Sequence, residues 1–179
     1  MKRKTFLAGL VLAFAACAGW AQTLTPAQLS TLRANVLANA DTLALYNAGD
    51  RAGLAAAYNA AAAPAFIYWR SDVTTEEIGN AWVGTDIDGM SALNMQRLEL
   101  LLASAPGGIF DMTRADRRAG FENPFGTNTA NASRVAMRAV WKRSASRFER
   151  LFATGVGSDA SPGALTLRGP VTPELFVEI

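Results

Sequence analysis

The chain carries no histidine, and its one cysteine, Cys17, falls inside an apolar N-terminal run. A domain built from the residues beyond that run has no disulfide and no Cys/His zinc site to staple it, so packing alone must hold it together. The same absence removes a histidine general base, a Ser-His-Asp triad and a cysteine nucleophile from the chemistry open to it. Its 179 residues suit one domain, and half of them are hydrophobic. A chain of that size can bury a substantial core without cross-links. Alanine supplies much of the apolar content, which favours helices in close contact.

Residues 1–21, MKRKTFLAGLVLAFAACAGWA, have the order of a secretory signal peptide. Lys2, Arg3 and Lys4 precede an apolar run from Phe6 to about Ala16, and small residues follow. That run is shorter than the roughly 20 residues a membrane-spanning helix needs. Gly19-Trp20-Ala21 offers a cut before Gln22. Phe14-Ala15-Ala16-Cys17 offers a second route, lipidation at Cys17, which would tie the protein to a membrane. Phe14 stands where such a motif usually has Leu, which favours simple cleavage. An exported protein would be periplasmic or extracellular; without export, the location would be a virion or the cytoplasm. Loss of Lys2, Arg3 and Lys4 takes the net charge from +2 to −1. A near-neutral chain gives no electrostatic case for nucleic acid as a partner.

Local signals over residues 22–179 predict a single helical domain. Thr25-Pro26-Ala27-Gln28 is a capping box with proline at the first helical position, followed by Leu29, Leu32, Val36 and Leu37 at helical spacing. Asp50 caps a second helix through Leu54 and Tyr58, and Pro64 stops it. AFIYWR, residues 65–70, is extended or a short turn of helix. Thr74 with Glu77 repeats the capping logic for a short helix carrying Ile78 and Trp82. VGTDIDG is a link. A helix over about 90–103 carries Met90, Leu93, Leu98, Leu101 and Leu102 as its apolar stripe. Thr113 and Asp116 mark another short helix, and NPFGTNT is a loop. The last long helix is expected over about 131–154, with Met137, Trp141, Phe148, Leu151 and Phe152 on one side. Arg138, Lys142, Arg143, Arg147 and Arg150 crowd its other faces. ALTLRG and ELFVEI alternate as short strands do. The expected fold is mainly α: one compact domain of about five or six helices with a small C-terminal β element.

Three stretches invite a chemical reading. TGVGSDASPG, residues 154–163, contains a Gly-x-Gly, but a phosphate cradle follows a strand and opens a helix. Here the predicted order is reversed, so Gly155 is expected as the left-handed residue after a helix end. Asp86 and Asp88 in DIDG resemble the start of a calcium loop, yet the twelfth position from Asp86 is Arg97, not Glu. Caps and solvated turns account for these acids and for Asp72, Glu76 and Glu77. The cationic residues of the last helix form either a contact surface for an anionic partner or a solvated face paired with Glu149 and nearby acids. No catalytic, cofactor-binding or metal-ligating set emerges, so the chain is not expected to be an enzyme or to need a cofactor.

TPAQL, the N....P.FIYWR..V spacing from Asn59 to Val73, and KRSASRFERLFATGVGSDASPGALTLRGPVT from Lys142 to Thr172 carry a resemblance. Over Thr25 to about Val177 the chain resembles a family of small proteins encoded in tailed bacteriophages and prophages. The signal-like segment lies outside it. The resemblance implies a structural or assembly role without catalysis, with other protein subunits, including virion proteins, as partners. On that reading Trp69, Arg70, Arg138, Lys142, Arg143 and Arg147 are the candidate contact residues. The alternative is a small exported helical protein that binds a partner in the bacterial envelope.

Overall fold

The computed structural model describes residues 23–179. The signal-like segment, both processing routes and Cys17 lie outside the described residues. The chain begins with α1, Pro26–Ala38, α2, Ala40–Asn47, and α3, Arg51–Asn59. The Thr25 hydroxyl accepts the Gln28 N–H at 3.3 Å, and Gln28 Oε1 accepts the Thr25 N–H at 2.9 Å, which closes the predicted capping box. Asp50 caps α3 through the Gly53 N–H at 2.8 Å. Leu32, Val36, Leu54 and Tyr58 point inward from these helices and meet Phe148, Leu175 and Phe176 from the far end of the chain. The rings of Tyr58 and Phe176 stand 5.6 Å apart. One core cluster thus joins both ends of the described chain.

A second cluster is built from the middle. It collects α4, Thr75–Asn80, α6, Ala92–Ala103, α7, Ala115–Glu122, and α8, Ala132–Val140, while α5, Gly84–Asp88, adds no residue to it. Ile78, Leu98, Phe121, Met137 and Trp141 are fully buried within it. Phe121 meets Phe110 edge-on at 5.0 Å, the geometry that ring quadrupoles favour. The cap of α8 comes partly from afar. Asp86 Oδ2 accepts the Ser133 N–H at 2.9 Å and its hydroxyl at 2.8 Å, while Ser133 Oγ accepts the Val83 N–H at 2.8 Å.

Among the described residues six short strands pair two by two, all antiparallel. β1, Ile67–Trp69, pairs with β4, Lys142–Ser144; β2, Val73–Thr74, with β3, Ile109–Phe110; β5, Ala153–Thr154, with β6, Ala164–Leu165. The molecule is mainly α with small β elements, as expected. Its β residues are spread along the chain, and its helices are shorter and more numerous than the periodicity suggested. The link VGTDIDG forms α5, and a 3-10 turn, Asn123–Phe125, occupies part of NPFGTNT.

Three expectations fail for identifiable reasons. The long helix over 131–154 is four elements: α8 ends at Val140, β4 follows, α9 covers Arg147–Leu151, and β5 takes Ala153–Thr154. Ser146 starts α9 with its own capping box, its hydroxyl accepting the Glu149 N–H at 3.2 Å and Glu149 Oε2 accepting the Ser146 N–H at 2.9 Å. A cap inside an apolar period breaks the helix, because the capping residue must leave helical geometry. Second, ELFVEI is not a strand: Pro173 opens a 3-10 turn, Pro173–Val177, that buries the adjacent Leu175 and Phe176 together. Third, the apolar stripe of α6 is only partly used. Leu98 is buried, whereas Leu93 is 57% exposed.

Gly155 has a positive φ of 92°, but it follows β5 in the β5–β6 connection rather than closing a helix. The adjacent Gly157, at φ 69°, lies against the ring of Phe66, where a Cβ would overlap the Cδ2 and Cε2 atoms. Gly49 has nearly the same φ, 68°, and open space around it. Gly157→Ala is therefore expected to cost about 3 kcal/mol, the left-handed penalty plus overpacking. Gly49→Ala should cost only about 1–2 kcal/mol, the backbone penalty alone. Urea unfolding of the two variants checks the difference.

Candidate functional site

The β1–β4 ladder brings four of the six candidate contact residues together. Its register sets Tyr68 opposite Arg143 and Trp69 opposite Lys142. Arg70 follows directly, its N–H donating to the Trp141 carbonyl at 2.8 Å. Arg138 and Arg147 are carried elsewhere. Arg138, in the last turn of α8, reaches Glu122 of α7; Arg147, on α9, reaches Asp41 of α2 at 2.8 Å. The continuous cationic helix face does not exist, because the helix that would present it is interrupted.

Each of these cations is matched locally. Arg70, 17% exposed, donates to Asp72 Oδ1 at 3.0 Å and Glu77 Oε1 at 2.7 Å, and also to the Val140 carbonyl at 3.1 Å. The hydrogen bonds from Arg70 hold the Glu77 carboxyl below the usual carboxylate range. Lys142 Nζ lies 2.5 Å from Asp159 Oδ1. Arg143 lies over the Tyr68 ring at 4.9 Å and donates to Glu149 Oε1 at 2.7 Å. Trp69 is half-buried beneath Arg118, whose guanidinium carbon stands 4.1 Å from the ring centroid, with Lys142 Nζ at 6.0 Å. Cation–π contacts of this kind contribute about 0.5–2 kcal/mol each.

Glu149 organises the surroundings, in a larger role than partner to a solvated face. Its side chain is 1% exposed. One oxygen accepts from Arg143 and from the Gly169 N–H at 3.0 Å; the other closes the α9 cap. Gly169 leads to Val171, whose N–H and carbonyl bond the Asn59 side chain at 2.8 and 2.9 Å. A cavity of about 390 Å³ opens among Asn59, Arg70, Asp72, Arg143, Ser146 and Gly169. Ser146-x-x-Glu149 was the one local sign of this arrangement; the Asn59–Val171 clamp spans 112 positions and left none.

The chemistry of the site is that of charge pairing and stacking. Among the described residues no group of three or more carboxylates or other metal-ligating side chains converges. Asp86 is occupied in capping α8, and the hydrogen bonds from Ser133 hold it below the usual carboxylate range. The Tyr68 hydroxyl is buried without a hydrogen-bond partner among the described residues, and burial pushes it up to about 12. No described helix is long and apolar enough to cross a membrane. No family model matches the chain, and no curated protein or solved structure matches it significantly.

Two outcomes follow. Removing Glu149 as Glu149→Ala leaves the Gly169 and Ser146 N–H groups without their acceptor, and is expected to cost about 2–4 kcal/mol in urea unfolding; Arg143, 44% exposed, turns to solvent. The second concerns Glu122, which Arg134 and Arg138 clamp at 2.7 and 2.6 Å. Burial pushes its carboxyl up, but the hydrogen bonds from Arg138 and Arg134 outweigh burial and leave it below its ordinary 4.5. Its contribution is therefore complete above that value and lost as pH falls through the lower folded value. Glu122→Gln should reduce the loss of stability between about pH 5 and pH 3, measured by thermal unfolding against pH. The lowered Glu77, Asp41 and Asp86 keep part of the slope in place.

Proposed function

We propose that the protein is a non-enzymatic subunit of the phage or prophage type that works by contacts with other protein subunits. The observation that carries the reading is how the segments bearing the resemblance use their residues. IYW of the first block pairs with KRS of the last, and Ile67 donates to the Gly157 carbonyl at 2.7 Å while accepting from Gly163 at 2.8 Å. Asn59 clamps Val171, and Arg150 donates to the Pro64 carbonyl at 2.5 Å. The shared residues build a scaffold from distant parts of the chain, with their polar atoms spent on one another. Such a use of polar groups suits a part that must hold a shape for its neighbours. Large apolar side chains at the surface, Leu100 at 64% and Val156 at 75% exposed, add area for contact.

The signal-like N-terminal sequence favours the second reading, a small helical binding protein of the bacterial envelope. Mass spectrometry of the native host, with and without prophage induction, separates the two. The first reading expects this polypeptide in purified particles with an unprocessed or internal N-terminus. A chain absent from particles and recovered in the envelope fraction, beginning at Gln22 or at a lipidated Cys17, would overturn it.

A further inference from the structure

A groove of about 720 Å³ opens between α1, the end of α3 and α9. Its floor is the run Ala60–Ala63. Ala61 forms an isolated antiparallel bridge with Ser146, made by the Arg147 N–H on the Ala60 carbonyl at 2.8 Å and the Ala62 N–H on the Ala145 carbonyl at 3.0 Å. In that pattern the bridging residue directs its own N–H and C=O away from its partner. Among the described residues, the N–H groups of Ala61 and Ala63 donate to nothing. Both residues are exposed and line the groove. Ala61 is thus a one-residue strand edge with an open donor, and the bend at Ala63 adds a second; an edge of that kind is completed by another extended backbone. The alanine side chains leave the room that a second strand requires.

The charge around the groove selects the occupant. Arg147 is answered by Asp41. Arg150, also on the wall, meets no carboxylate among the described residues; its guanidinium donates to the Pro64 carbonyl. We propose that this groove takes an extended, acidic segment of a partner protein, which adds a strand along Ala61–Ala63 and sets a carboxylate against Arg150. The proposal rests on the reading of the chain as a protein-contact subunit and places one of its contacts.

The test uses the full chain and a displayed library of random linear ten-residue peptides, followed by amide-resolved NMR with the enriched sequences. The expected result is peptides rich in Asp or Glu that shift the Ala61 and Ala63 amides and protect them from exchange. Arg150→Glu should weaken their binding at least tenfold. Arg150→Gln, which retains a donor for the Pro64 carbonyl, should weaken it less while leaving the fold intact by circular dichroism. Failure to enrich any peptide, shifts confined to other surfaces, or unchanged affinity in both Arg150 variants would overturn the proposal. The parent reading is judged separately. Wild-type and Arg150→Gln chains present equally in particles, with no peptide selected, would remove the groove and leave the subunit role. Peptides selected at Ala61–Ala63 by a chain absent from particles would do the reverse.

Discussion

The buried carboxylate of Glu149 is the point at which α9, β4 and the C-terminal segment are fixed to one another. It closes the α9 cap, neutralises Arg143 on β4 and holds the Gly169 N–H of the C-terminal segment. A charge with so little exposure is tolerable only because its oxygens are engaged by a guanidinium and two backbone donors. Those donors in turn determine where their chains run. Arg143 fixes β4 beside β1, and Gly169 leads into the Val171 clamp on Asn59, at the end of α3.

The surface chemistry follows from the same arrangement. Breaking the expected long helix into α8, β4 and α9 distributes its cations to separate acids, Glu122, Asp159, Glu149 and Asp41. A single basic face would have been a broad electrostatic surface. What exists instead is a set of local pairs, with Trp69 stacked beneath Arg118 and an open strand edge at Ala61–Ala63 beside Arg150.

Local signals in the chain are legible where one short segment decides its own conformation. The caps at Thr25, Asp50 and Thr74 begin helices as their spacing predicts. α3 ends at Asn59, before Pro64 is reached, and Gly155 takes the positive φ expected of it, though after a strand and not a helix. The apolar residues read from the last long period, Met137, Trp141 and Phe148, are buried although their helix is not continuous. Burial depends on side-chain chemistry, which the segment carries with it. Helix continuity depends on whether the backbone finds a better partner. Residues 142–144 find one in Ile67–Trp69, some 75 positions earlier.

The sequence by itself determined the mainly helical class, the helix starts that rest on the Thr25, Asp50 and Thr74 caps, and a core of residues 23–179 that holds no cysteine to cross-link it. These follow from capping geometry, from the period of apolar residues and from composition, all of which act within a few residues or none. Only the tertiary structure decided that Trp69, Arg70, Lys142 and Arg143 share one ladder while Arg138 and Arg147 do not. It also decided that Asp86 caps a helix 47 positions away and that Ala61 and Ala63, whose N–H groups have no acceptor among the described residues, line a groove. Those outcomes rest on pairing between segments far apart in the chain. Their energies depend on which backbone and which charge arrive opposite, and no single segment contains both partners.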